Sequence, residues 1–176
     1  MPLAPSLSAR RWFRPRRPRA SSPALLLVQP VLNRIVRDIT RQLPELFARL
    51  GPYCRSRFLI DARDMPFLLL LRPDPGRPVL AAWPRSTEPE CDARISGSFR
   101  DLLGLIDGGT DGDALFFSRD LDISGNLEAV VCLRNAIDDV DGAVADRVAD
   151  ALGPAGRIAW ALLLRRHRRA RRGDGQ

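Results

Sequence analysis

The chain has 176 residues, a mass of 19.6 kDa and an apolar fraction of 45%, which is enough for one domain with a buried core. Its longest apolar run, 65–71, is far shorter than the roughly 20 residues that a helix needs to cross a bilayer. The net charge of +7 comes from the two ends, which hold twelve arginines and one acid, whereas the residues between them are mildly acidic. The three cysteines, Cys54, Cys91 and Cys132, include no close pair, so we expect neither a disulfide framework nor a cysteine-rich zinc site.

Composition divides the chain into three segments. Residues 1–24 are rich in proline, arginine and serine and are predicted to form a disordered basic arm. Its motif ARRWFR is similar to a twin-arginine export signal, but polar residues and a proline interrupt the apolar stretch that follows, which favours a flexible arm. Residues 25–153 carry the periodic apolar patterns and are predicted to form the folded domain, and residues 154–176 a basic C-terminal helix or tail.

Two helices are predicted at the start of the domain. Pro30 suits the first turn of a helix, and apolar residues then recur on one side of it. Pro44 should end or kink this helix. A short second helix over 44–50 is predicted to stop at Gly51 and Pro52, a capping glycine followed by a helix breaker.

Four short strands are predicted next. They cover residues 57–61, 67–72, 79–83 and 93–96. The second is almost continuously apolar, as expected for a strand that is covered on both faces. Because turn residues such as those at 73–76 separate the strands, we expect an antiparallel meander.

A short amphipathic helix should follow the fourth strand. Its apolar residues fall at i, i+3, i+4 and i+7, and they are Phe99, Leu102, Leu103 and Ile106. The acidic, glycine-rich residues 107–113 then form a turn. This segment lacks both the ligand spacing of a calcium loop and the lysine of a phosphate-binding loop, so neither a metal nor a cofactor is expected there.

The stretch 115–138 shows a strand, a sharp corner and a helix in succession, and the rest of the fold prediction is arranged around them. Over residues 115–123 apolar and polar side chains alternate, which is typical of a half-buried strand. Gly125 permits a sharp turn, and Asn126 can cap the helix that follows. From Leu127 the apolar period becomes that of a helix, and a further helix is predicted over 140–152.

Few residues could carry out catalysis. The only histidine, His167, lies in the C-terminal arginine cluster, so a Ser-His-Asp or Cys-His site is not expected within the domain. The carboxylate pairs Asp120/Asp122 and Asp138/Asp139 could support acid–base chemistry. Nothing in the pattern predicts the burial that would shift their pKa values, so positions facing solvent are favoured. What remains is apolar surface, which fits either an ordinary core or a core left open to hold a lipid tail.

The order of elements over residues 58–138 resembles that of the sterol carrier protein type 2 lipid-binding domain. More narrowly, the segments LPELFARLG, RFLIDARDMPFLLLLRP and FFSRDLDISGN, together with the later LRNAID, resemble the accessory factor T family of oxygen-independent ubiquinone biosynthesis. The similarity covers roughly residues 25–140. It implies an α+β fold in which a five-stranded, sterol-carrier-like sheet and flanking helices enclose an apolar cavity, without catalytic residues.

The resemblance also implies a function. The expected protein is a non-enzymatic lipid-binding accessory factor that holds and presents isoprenoid quinone precursors, with the peptidase-like U and V hydroxylation factors as partners. A general lipid or sterol carrier is the alternative. The residues expected to face the cavity are Phe99, Leu102, Ile106, Phe117, Leu121, Leu127, Val130 and Val131.

The C-terminal segment suggests where such a carrier would act. Apolar residues at 158–164 lead directly into six arginines, so this segment could lie peripherally on an anionic inner membrane from the cytoplasmic side. The alternative is a helix packed on the body with a solvated tail. Nucleic-acid binding through the basic tails is the other alternative function, but the arms hold few aromatic residues and the body is acidic, which disfavours it. The candidate membrane contacts are Trp160, Arg165, Arg166, Arg168 and Arg169.

Overall fold

A computed structural model describes residues 23–106, 121–140, 143–151 and 153. Its helices are α1 (Pro23–Gln42), α2 (Pro44–Leu50), α3 (Phe99–Gly104), α4 (Leu127–Asp138) and α5 (Ala143–Ala151), with a 3-10 helix at Gly51–Arg55. Its strands are β1 (Phe58–Ala62), β2 (Phe67–Arg72), β3 (Val79–Pro84), β4 (Ala93–Gly97) and β5 (Asp122–Gly125). The predicted arm over 1–24, apart from its last two residues, and the whole predicted tail over 154–176 lie outside the described residues.

The five strands form one mixed sheet in the order β3-β2-β1-β4-β5. The predicted antiparallel meander is confirmed for β1, β2 and β3 but is wrong for β4, which lies parallel to β1. The carboxylate of Asp92 accepts a hydrogen bond from the backbone N–H of Arg57 at 2.7 Å, and the N–H of Asp92 donates to the carbonyl of Arg57 at 2.8 Å. These bonds hold the starts of β1 and β4 side by side.

Helices α1 to α4 lie on one face of the sheet, and α5 packs against α1 and α3. Because side chains alternate along a strand, Phe58 and Ile60 of β1 share this face with Ile95 of β4. Helices α2, α3 and α4 cover the half of the face formed by β1 and β4, where they build the main apolar cluster. Helix α1 covers the half formed by β2 and β3.

Helix α1 begins seven residues before the predicted start, and Pro30 lies inside it rather than in its first turn. Packing accounts for the difference, because Leu25 is buried together with Leu32 against Ala82 of β3. The side-chain amide of Gln29 donates to the carbonyl of Leu80 and accepts from the N–H of Ala82, both at 3.0 Å. One side chain therefore satisfies the backbone of an edge strand that would otherwise be open to pairing.

The predicted Gly-Asn corner is confirmed. Gly125 has a φ of 82°, and a Cβ there would lie 2.5 Å from the carbonyl oxygen of Asp92. Asn126 accepts a hydrogen bond from the N–H of Ala129 at 3.0 Å and caps α4. The strand before this corner is described only from Asp122, since residues 115–120 of the predicted strand lie outside the described part of the chain.

Candidate functional site

An apolar interior lies between the sheet and helices α2, α3 and α4. Phe58 of β1, Leu50 of α2 and Val130 of α4 are fully buried within it. Ala129 and Ala136 of α4 are buried as well, and their small side chains allow the helix to approach its neighbours closely. This interior is the part of the described structure where an apolar ligand would be sheltered from water.

Five of the eight residues predicted to face a cavity come together here. Leu102, Leu121 and Val130 are buried members of the main cluster. Phe99 and Ile106 are half-buried and pack against it. The helix predicted over 99–106 therefore directs its apolar stripe as expected, with Ser98 as its cap, which accepts from the N–H of Asp101 at 3.2 Å.

Two further candidates lie on the outside of α4, and one lies outside the described residues. Leu127 is 56% exposed and Val131 is 37% exposed, so the expectation that they share an inward face with Val130 is wrong. The rotation of α4 is set by its tighter packing residues, which turn toward α2 and the sheet and are Ala129, Val130, Leu133 and Ala136. Phe117 is the candidate that the structure does not describe.

Helix α2 contributes buried apolar residues to this interior that were not among the candidate residues predicted from the sequence. Leu46, Phe47 and Leu50 are buried in the main cluster beside α4. Together with Leu43 they fall at i, i+3, i+4 and i+7, so the same spacing rule that selected α3 would have found them. The predicted stop at Gly51 is confirmed, and the chain continues directly into the 3-10 helix.

A polar pair stands at the outer edge of the interior, where α4 begins. Tyr53 of the 3-10 helix is half-buried, and a hydrogen bond to Glu128 raises the pKa of its hydroxyl above the usual value. Glu128 follows the exposed Leu127 in the first turn of α4. A phenol and a carboxylate thus lie beside exposed apolar side chains, an arrangement that suits the polar end of an amphipathic ligand.

The carboxylates considered for acid–base chemistry are engaged in ion pairs where they are described. Asp122 has 77% of its side chain exposed and pairs with Arg63. Asp139 pairs with Arg49, and Asp138 lies 2.8 Å from Arg134. These positions agree with the favoured interpretation of surface groups facing solvent. Within the described ranges, no group of three histidine, cysteine or acidic side chains could hold a metal ion.

The described carboxylate that is buried lies on the other face of the sheet. Asp61 is 4% exposed, lies 2.8 Å from a guanidinium nitrogen of Arg85 and also pairs with Arg94. Burial alone would raise the pKa of Asp61, but the hydrogen bond from Arg94 and the ion pair with Arg85 outweigh it and hold the pKa below its usual value. The sheet separates this network from the apolar interior, so its role is structural.

A mixed five-stranded sheet with helices on one face and an apolar interior between them defines an α+β, sterol-carrier-like protein. The sequence matches the family model of the SCP-2 sterol transfer family over residues 33–138, which is more than half of the chain. The protein belongs to that family. No curated protein matches the sequence significantly. None of the described helices has the length and apolar character that crossing a membrane requires.

Three solved structures are similar to this chain. A UbiJ-SCP2 ubiquinone synthesis protein has 15% identity and a TM-score of 0.48, over 65% of this chain and 88% of its own. The sterol carrier protein domain 2 of Helicoverpa armigera has 16% identity and a TM-score of 0.48, over 69% and 93%. Apo sterol carrier protein 2 from Yarrowia lipolytica has 12% identity and a TM-score of 0.44, over 67% and 92%. Similarity at this distance does not indicate the ligand.

Proposed function

We propose that this protein is a non-enzymatic lipid-binding accessory factor that holds and presents isoprenoid quinone precursors for oxygen-independent ubiquinone biosynthesis. The observation that carries the proposal is the apolar interior between α3, α4 and the sheet in a chain of the SCP-2 family. The narrower assignment rests on the segments that resemble the accessory factor T family. In the structure the described parts of these segments form α2, the β1–β2 hairpin, the β5–α4 corner and the end of α4.

Burial of an isoprenoid chain supplies the binding energy that such a carrier needs. Each CH₂ group removed from water contributes about 0.8 kcal/mol before the costs of association and ordering are subtracted. A few buried isoprene units therefore give useful affinity without any catalytic group. The polar ring of the cargo would stay at the edge of the interior, beside Tyr53 and Glu128.

The proposed binding residues take two roles. Leu102, Leu121 and Val130, with Phe99 and Ile106 partly buried around them, would form the wall against the apolar chain. Leu127 and Val131 are exposed and would contact cargo as it enters or leaves. Phe117 is retained as a proposed contact from the sequence.

Lipid analysis of two tryptophan variants tests the proposal. Native protein should release isoprenoid lipid into organic extracts, measured by mass spectrometry as moles of lipid per mole of protein. Val130→Trp fills the proposed site and should reduce loading severalfold, at a cost of about 3 kcal/mol in the free energy of unfolding from overpacking. Ile35→Trp is the matched control, since Ile35 is equally buried but packs in the α1 cluster.

The comparison of the two variants decides the interpretation. If Val130→Trp alone loses lipid while both variants lose similar stability in urea, the site lies between α4 and the sheet. Equal losses of lipid would mean that loading follows stability, and lipid-free native protein would contradict the proposal outright.

The description of the family as sterol transfer favours a general sterol or lipid carrier as the second candidate. A sterol or phospholipid in the extract would identify that function instead.

The proposed carrier works at the cytoplasmic surface of the inner membrane and delivers cargo to the U and V hydroxylation factors. Its proposed membrane contacts are Trp160, Arg165, Arg166, Arg168 and Arg169. Each arginine near an anionic leaflet contributes about 1 kcal/mol, weakened by salt. This gives reversible attachment, which suits a protein that must load from a bilayer and leave it again.

Truncation after Leu164 should weaken binding to anionic vesicles by at least tenfold, because it removes all six C-terminal arginines. Lipid loading should stay unchanged, since the proposed binding wall is intact. Vesicle sedimentation in low and moderate salt measures the first quantity, and mass spectrometry of extracts measures the second. Undiminished sedimentation of the truncated protein would exclude the C-terminal contact.

A further inference from the structure

A seam of polar contacts joins α4 to the segment formed by α2 and the 3-10 helix. The thiol of Cys132 donates to the carbonyl of Arg49 at 3.5 Å and lies 3.8 Å from the carbonyl of Leu50. At the end of α4, Asp139 pairs with Arg49. Glu128 precedes Cys132 by four residues and Asp139 by eleven, spacings that place the three on one side of an α-helix. Glu128 therefore faces the same segment, one turn before Cys132.

Tyr53 of the 3-10 helix meets Glu128 at the open end of this seam. Its ring is half-buried and packs against the main apolar cluster, and its hydroxyl donates to the exposed carboxylate of Glu128. The N–H of Ser56 donates to the carbonyl of Tyr53 at 3.0 Å and closes the turn that carries the ring. The exposed side chains of Leu127 and Val131 lie on the same part of α4. The pair thus has apolar surface on one side and water on the other.

This pair offers hydrogen-bond acceptors to a ligand. A carboxylate only accepts, and the single proton of the Tyr53 hydroxyl is used on Glu128, so the free lone pairs of both groups remain. Two donors on the seam are already used, the thiol of Cys132 by the carbonyl of Arg49 and the guanidinium of Arg49 by Asp139. A ligand head that brings its own O–H group gains a bond here, whereas carbonyl or ether oxygens would face other acceptors.

We propose that Tyr53 and Glu128 select cargo whose polar head carries a hydroxyl group over cargo whose head holds only carbonyl or ether oxygens. An isoprenoid phenol is favoured over the corresponding quinone, because its hydroxyl donates to the carboxylate of Glu128. Leu127 and Val131 contact the first apolar atoms behind the head. The inference rests on the proposed carrier function and deepens it, since it names the chemistry of the head. A sterol alcohol offers the same donor, so either candidate cargo obeys the rule.

The pair can be observed directly, because Tyr53 is the only tyrosine in the chain. Titration of tyrosinate absorbance should give a pKa above the usual 10.0 in the native protein, since Glu128 stabilises the protonated hydroxyl. Glu128→Gln should lower this pKa, whereas Glu45→Gln should leave it unchanged. Glu45 is the matched control, an exposed glutamate in the first turn of α2. An equal pKa in the native protein and Glu128→Gln would show that the pair is not formed and would overturn the proposal.

Selection is measured with two probes that differ in one group, 4-dodecylphenol and its methyl ether. Isothermal titration calorimetry on delipidated native protein should show about fivefold tighter binding of the phenol, the net value of one hydrogen bond. Glu128→Gln should reduce the preference to about twofold or less, because an amide offers a donor as well as an acceptor. Glu45→Gln should keep the native preference. Urea unfolding of each variant shows whether it is folded.

Further probes separate the possible cargoes. Dodecyl-1,4-benzoquinone has no O–H group and should bind as weakly as the methyl ether, and a sterol is compared with its own methyl ether in the same way. Equal binding of the phenol and its ether, or a preference that Glu128→Gln leaves intact, overturns the selection of the head. The carrier function would then stand, because both probes still bind. Failure of every probe to bind, with lipid-free native protein, contradicts the carrier function and the selection together.

Discussion

The two faces of the sheet are held in different ways. On the helix-covered face, apolar side chains of β1 and β4 contact α2, α3 and α4 through non-directional packing. On the opposite face, Asp61 is fixed by Arg85 and Arg94, and Arg94 also pairs with Glu88 at 2.7 Å. The opposite face therefore adds directional bonds to apolar packing, since Leu59 and Leu68 are also buried on it, whereas the helix-covered face is joined mainly by contacts that depend on area and fit.

A sheet face that is held mainly by apolar contacts can accommodate an apolar ligand. Apolar contacts can be replaced by contacts with a lipid chain at little cost, because the chain removes similar area from water. A buried ion pair cannot be exchanged in this way without leaving a charge unpaired. The ion pairs of Asp61 can thus preserve the sheet while the helix-covered face adapts to the proposed cargo.

The corner between β5 and α4 connects the sheet to the helices that cover it, and its disruption should have the largest effect. Gly125→Ala forces a side chain into a left-handed conformation and within 2.5 Å of the carbonyl of Asp92. We expect a loss of about 3 kcal/mol in the free energy of unfolding, from backbone strain and displacement of the strand. Urea denaturation measures it, with Gly76→Ala in the β2–β3 turn as the control, where a Cβ would lie at an ordinary 3.5 Å from Asp74. Equal effects of the two variants would contradict the role of the corner.

The sequence predicted the local elements well because their signals are local. The strand starts and ends agree within a residue or two for β1 to β4, and the Gly125–Asn126 corner is confirmed through its φ angle and cap. The position of β4 could not be predicted, because parallel pairing with β1 depends on contacts between distant residues such as Arg57 and Asp92. Periodicity within a strand carries no information about its neighbours.

The candidate site was predicted in part. Leu102, Leu121 and Val130 are buried in the main cluster, as the apolar patterns of α3, β5 and α4 indicate, and their contact with a ligand stays a prediction. Leu127 and Val131 could not be separated from Val130 by spacing, because an apolar stripe on a helix is wide and its neighbours determine which part is buried. The apolar residues of α2 were left out of the candidate site, although their spacing could be read from the sequence.

Loss of the buried carboxylate should have the next largest effect and should be confined to stability. Asp61→Asn leaves Arg85 and Arg94 without their shared anion, and we expect a loss of about 2 kcal/mol, reduced from larger values for fully buried pairs because both arginines are partly exposed. Asp122→Asn is the matched control, since its carboxylate is exposed and should contribute little. Lipid per protein should remain unchanged in both variants. A parallel loss of lipid would show that the two faces are not independent.

The smallest effect is expected in the response to acid. This response tests the ion pairs of Asp61 and Asp92 in the unmodified protein. Hydrogen bonds from arginines outweigh burial at both Asp61 and Asp92, so the pKa of each carboxyl is lower in the folded state than its usual value of 3.8. Their contribution to stability is therefore complete above the unfolded pKa and is lost as the pH falls below it through the lowered folded values. Urea unfolding at pH 7, 5, 4 and 3 should show little change between the first two and a progressive loss below about pH 4. Asp61→Asn should be less stable at pH 7 but lose less on acidification, because one of the two groups no longer titrates. A variant that loses as much stability in acid as the native protein would show that Asp61 is not linked to folding, and the distinction between the two faces would then rest on packing alone.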